Sequence, residues 1–97
     1  MTIFAVEYVY GPEAEDARTE HRPKHRDWLA AQADAEVVLA SGPYADGAGA
    51  LLIFNAPDEA TLHEILRQDP MSAGGGVTGL KVSEWKPVIG QLSKYLP

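Results

Sequence analysis

Thr2-Ile3-Phe4-Ala5-Val6-Glu7-Tyr8-Val9-Tyr10 opens the chain and decides how the rest of it is read. β-Branched and aromatic residues suit a pleated, half-buried surface. In an extended strand Phe4, Val6, Tyr8 and Tyr10 share one face, and Ile3, Ala5, Glu7 and Val9 share the other. Both faces are largely apolar, so the strand is expected inside a sheet covered on both sides. Gly11-Pro12 ends it.

Working outward, Glu13 to Glu20 is polar and strongly charged and reads as a loop or frayed turn. Pro23 suits the first turn of a helix, where its missing N–H has no intrahelical partner to lose. From there to about Ala35, His25, Trp28, Leu29, Gln32 and Ala35 recur at helical steps. Glu36 to Ser41 reads as a second strand, broken by Gly42-Pro43, and Asp46-Gly47 marks a turn. Ala50 to Ala56 is an apolar third strand. Asp58 is placed to cap a second helix, which carries Leu62, Ile65 and Leu66 on one stripe, then Asp69, and is stopped by Pro70. Gly74-Gly75-Gly76 connects to a fourth strand, Val77 to Val88, which contains Leu80, Val82 and Trp85.

The order β-α-β-β-α-β predicts an α+β, ferredoxin-like sandwich, with two helices on one face of an antiparallel sheet. Residues 1–97 make one domain. A chain this short buries roughly 60–70% of its unfolded surface, enough for one modest core. The second apolar sheet face is therefore expected to be closed by a second copy, giving a homodimer. A monomer whose C-terminal tail, residues 89–97, covers that face is the alternative; in a dimer the tail has a partner chain to dock on.

Charge narrows the function classes. Eight Lys and Arg stand against 14 Asp and Glu, a formal net charge of −6. Such a chain repels phosphate backbones, which argues against a nucleic-acid partner. No stretch approaches the roughly 20 consecutive apolar residues that span a bilayer, so no membrane partner is expected. Met1 to Glu7 has no basic segment of a secretory signal, and the expected location is the cytoplasm. Cysteine is absent, which excludes disulfides, thiolate catalysis and cysteine-based metal sites.

The predicted topology brings distant polar residues to one rim: Arg22-Pro23-Lys24-His25, Ser41-Gly42-Pro43, Asp69-Pro70 and the glycine triplet. His25 and Asp69 each lie on the apolar stripe of a helix and so point inward. A buried carboxylate is costly unless paired. An imidazole partner would be held in one tautomer and made more basic, as a general base needs; Asp69 acting on substrate, oriented by His25, is the other assignment, and a core ion pair is a third. Arg22 is a candidate anion clamp, its planar fork matching a carboxylate, or else a surface ion-pair partner of Glu20 or Asp69. Ser41 and the Gly42 backbone are candidate pocket residues, or simply the end of a strand. The glycine triplet lacks the spacing of a phosphate loop and reads as a turn. His21 and His25 have no evident third ligand, so no metal site is expected.

Arg22-Pro23-x-His25, Ser41-Gly42-Pro43 and Asp69-Pro70-Met71-x-Ala73-Gly74, in this order on this frame, resemble the YciI-like (YCII-related) family. Each motif is short; the ordered set is far more specific and extends over nearly the whole chain. Met71 stands where an aromatic residue often follows Asp-Pro. The resemblance implies a dimeric α+β barrel and a His–Asp pair, His25 and Asp69, proposed as catalytic in similar members. One branch of the family eliminates chloride from a small lactone. The expectation is therefore a cofactor-independent acid–base enzyme acting on a small anionic or carbonyl-bearing molecule. His25 and Asp69 would be catalytic, and Arg22, Ser41 and Gly42 substrate-binding. A noncatalytic metabolite-binding or regulatory module using the same pocket is the alternative.

Overall fold

The computed structural model describes all 97 residues. Strands β1 (Thr2–Val9), β2 (Val38–Pro43), β3 (Gly49–Ala56) and β4 (Gly79–Glu84) form one sheet in the order β2-β3-β1-β4, every neighbouring pair antiparallel. Helices α1 (Glu15–Asp34), α2 (Glu59–Arg67) and the single turn α3 (Pro70–Ala73) complete an α+β, ferredoxin-like fold. No helix is long and apolar enough to cross a membrane.

β1 lies at the centre because its inner face is all large apolar or aromatic. Phe4 pairs with Phe54, Val6 with Leu52 and Tyr8 with Ala50, and these residues join Val38, Ala56, Leu62 and Leu66 in one core. Leu62 and Leu66 come from the apolar stripe of α2, whose start is capped as expected, Asp58 Oδ1 accepting from the Thr61 N–H at 2.7 Å. Gly47, at φ 72°, supplies the left-handed turn of the β2–β3 hairpin. On the outer face Ile3 and Ile53 are buried within the single chain, whereas Leu51 and Val9 are exposed.

Several element boundaries differ from the sequence reading. α1 begins at Glu15, not at Pro23, so Pro23 is interior to it. The proline that opens the helical stretch is Pro12, in a short 3₁₀ turn over Pro12–Ala14. The first two turns of α1 bury Arg18 as their only buried residue, so there was no apolar period to read. Pro23 and Thr19 are both exposed, so the N–H that Pro23 cannot offer to the Thr19 carbonyl is missing on an exposed stretch of the helix. β2 runs later than Glu36–Ser41, and a bulge between Val38 and Ala40 shifts its register. Pro70 does not merely stop α2, which ends at Arg67; it opens α3, with Asp69 as the capping residue. β4 is shorter than Val77–Val88, and after Trp85 the chain leaves the sheet, exposing Val88 and Ile89.

Candidate active site

Asp69 organises the site. Its carboxylate is fully buried and accepts three hydrogen bonds. Tyr8 Oη donates to Oδ2 at 2.7 Å, and the Met71 N–H donates to Oδ1 at 2.9 Å. His25 Nδ1 meets Oδ1 at 2.7 Å. The three partners come from β1, α3 and the middle of α1. Only Met71 is local, and it follows from Asp69 capping a turn that Pro70 begins. Three donors satisfy the hydrogen-bonding capacity that burial would otherwise leave unmet. Burial, with that anion beside it, pushes the Tyr8 phenol far above its ordinary range, so Tyr8 stays a neutral donor.

His25 is itself buried, its ring stacked on Trp28 with centroids 6.5 Å apart. With Asp69 an acceptor, the neutral ring carries its proton on Nδ1. Nε2 makes no hydrogen bond inside the chain, and His25 lines a cavity of about 640 Å³ beside α1. Arg22, Ser41 and Gly42 line the same cavity. Arg22 forms no ion pair with Glu20 or Asp69; the pairs present are His21–Glu20, His25–Asp69, His63–Glu59 and Arg67–Glu64. The five residues singled out from the sequence thus share one neighbourhood, along the middle of α1 rather than at its start.

The glycine triplet contributes backbone. The Gly76 carbonyl accepts from Arg18 Nη1 at 3.2 Å, and a Cβ on Gly74 would collide with the His21 ring. His21 and His25 do lie one turn apart on α1, but no group of three or more metal-type side chains assembles anywhere in the chain.

Tyr8, Tyr10, Arg18 and Arg26 were not anticipated. Tyr8 alternates with Phe4 and Val6 and looked like plain core; its hydroxyl was the signal, because a buried phenol needs a partner. Arg18 and Arg26 stand four residues either side of Arg22, a ladder visible only once α1 is known to run through all three. Tyr10 lines the cavity with the Arg18 guanidinium 5.0 Å from its ring centroid. Burial, and then the Asp69 charge, raise its phenol above the ordinary value, while Arg18 and Arg22 pull it back.

The ferredoxin-like sheet and a cavity beside a buried His–carboxylate pair define the chain as an α+β protein of ferredoxin-like fold. The YCII-related domain matches residues 2–86, and the chain belongs to that family. It is similar in structure to 5-chloro-2-hydroxyhydroquinone dehydrochlorinase (TftG) from Burkholderia phenoliruptrix AC1100, solved in complex with 2,5-dihydroxybenzoquinone. The two share 22% identity at a TM-score of 0.75, over 87% of this chain and 93% of that one. No curated protein sequence matches the chain.

Proposed function

We propose that the chain is a small acid–base enzyme catalysing proton abstraction and elimination on an anionic or carbonyl-bearing molecule. The observation that carries this is the 2.7 Å contact between His25 Nδ1 and the buried Asp69 carboxylate, which leaves the other ring nitrogen for the cavity. Nε2 takes a proton from the carbon beside a carbonyl, and the C–H electron pair becomes the new double bond. The leaving group departs from the adjacent carbon with its own bonding pair. Asp69 holds the ring and offsets the charge it gains; such a base contributes roughly 10²–10⁴-fold. Arg22 holds a carboxylate or enolate oxygen, and Ser41 with the Gly42 backbone shapes the far wall. The dehydrochlorinase activity of the structural neighbour is chemistry of this type.

The test is chloride release from a panel of chlorinated hydroxyhydroquinones and chlorolactones. We expect turnover by the native protein, and its loss in His25→Ala and Asp69→Asn with the fold intact by circular dichroism. Panel compounds bound equally by native protein and His25→Ala, and consumed by neither, would make the chain a metabolite-binding module instead.

The protein works as a homodimer joined through the outer sheet face. Support comes from Leu51 and Val9, 40% and 46% exposed there, and from the dimeric barrel that the family resemblance implies.

A further inference from the structure

Only four arginines occur in this acidic chain, and Arg18, Arg22 and Arg26 line the one cavity that also holds His25. They recur every fourth residue along α1, so they stack on one side of the helix. The fourth, Arg67, is exposed and paired with Glu64 at 3.0 Å. None of the three in the cavity has a carboxylate within ion-pair distance.

Arg18 is the most constrained. It is 7% exposed, and its Nη1 donates to the carbonyls of Gly11 at 2.8 Å and Gly76 at 3.2 Å. Those partners are neutral, so they fix the guanidinium without cancelling its charge. A buried charge without a counter-ion is costly, and a ligand anion is what would offset it. The two acids lining the cavity do not serve. Asp46 Oδ1 is turned to its own loop, accepting from the Ala48 N–H at 2.9 Å, and Glu15 pairs with no arginine. Arg26 stands at the other end of the ladder. With Ser41 it also borders a second, mainly apolar recess of about 310 Å³.

Eight helical positions separate Arg18 from Arg26, about 12 Å of helix axis at 1.5 Å per residue. One carboxylate cannot engage guanidinium groups at both ends of that span. We infer that the ligand is a small dianion with two separated anionic groups. One group is held by Arg18 and Arg22 beside the Tyr10 hydroxyl, and the other by Arg26 beside Ser41. This rests on the reading of the cavity as the substrate site and narrows its substrate class.

The test is calorimetric titration at low ionic strength with dicarboxylates from malonate to adipate, with monocarboxylates of matched length, and with inorganic phosphate. The proteins are the native chain, Arg26→Gln and Arg67→Gln. We expect one dicarboxylate to bind at least tenfold more tightly than its monocarboxylate and than phosphate. That preference should vanish in Arg26→Gln and persist in Arg67→Gln. The Arg26 side chain is exposed and makes no hydrogen bond within the chain, so its replacement leaves the fold intact. Absence of dicarboxylate binding, equal binding of mono- and dicarboxylates, phosphate binding as tight as the best dicarboxylate, or a preference that survives Arg26→Gln overturns the inference. The readout is binding without turnover, so such a failure is separate from failure of the acid–base reading, which loss of chloride release in Asp69→Asn tests.

Discussion

Tyr8 and Asp69 stand 61 positions apart in the chain and 2.7 Å apart in the fold, the phenol of a central strand donating to the carboxylate that caps α3. This contact turns the His25–Asp69 pair into a three-residue relay of hydrogen bonds in which only His25 lines the cavity.

Tyr8→Phe removes that donor and leaves one buried carboxylate oxygen without a partner. The expected cost is about 2 kcal/mol, the range for a hydrogen bond to a charged group, read by urea unfolding at pH 7. The phenol binds its proton more tightly folded than unfolded. Its contribution is therefore fully present below the ordinary value of 10.0 and declines as pH rises above it. The stability gap between native protein and Tyr8→Phe should narrow above pH 10.0; a gap constant to pH 11 would count against the buried contact.

Asp69→Ala should be worse. It strands the Tyr8 hydroxyl, the His25 Nδ1–H and the Met71 N–H together, and about 3–5 kcal/mol is expected for breaking a buried charged network from its centre. The additive behaviour of Tyr8→Phe and Asp69→Ala in a double-mutant cycle would refute the direct coupling.

The neutral His25 ring should carry its proton on Nδ1, the less common tautomer in water. Long-range ¹⁵N–¹H correlation spectra at neutral pH distinguish the two nitrogens. Asp69→Asn should weaken this preference, and a native ring protonated on Nε2 would remove the base from its assigned role.

Asp58 caps α2, and its Thr61 N–H partner holds the carboxyl below its ordinary value of 3.8. A depressed carboxyl stabilises the fold above its unfolded pKa and loses that contribution as pH falls through the folded one. Asp58→Ala should lower Tm at pH 7, and the difference from native protein should shrink as pH is taken below 3.8.

If the outer sheet face joins two copies, Leu51→Lys should convert a dimer to a monomer in sedimentation velocity, because a buried unpaired lysine costs several kcal/mol. A native chain that sediments as a monomer would refute the dimer.

The strands, both main helices, the Asp58 cap and the inward aim of His25 were legible in the chain, since each follows from local periodicity or capping chemistry; Asp69 is buried as expected, but as the cap of α3 and not on the stripe of α2, which ends at Arg67. The true start of α1 was not. Its inner face is built on Arg18, and a buried guanidinium held by Gly11 and Gly76 carries no apolar period. Tyr8 was legible as core and illegible as a partner of Asp69, because a strand pattern gives the face and not what meets it.

Ser41 marks the division most sharply. The sequence by itself determined that a serine stands in the β2 segment just before Gly42-Pro43, within reach of the site; that β2 runs on through Gly42 to Pro43 was decided by its pairing with β3. The sequence did not determine which face that serine takes. The bulge between Val38 and Ala40 puts Val38 opposite Phe54 and Ser41 opposite Leu52, both on the helix side, where strict alternation would have put Ala40 and Gly42 there instead. A one-residue slip exchanges the faces of every later side chain. Such slips are set by pairing with the neighbouring strand, and that pairing exists only in the folded chain.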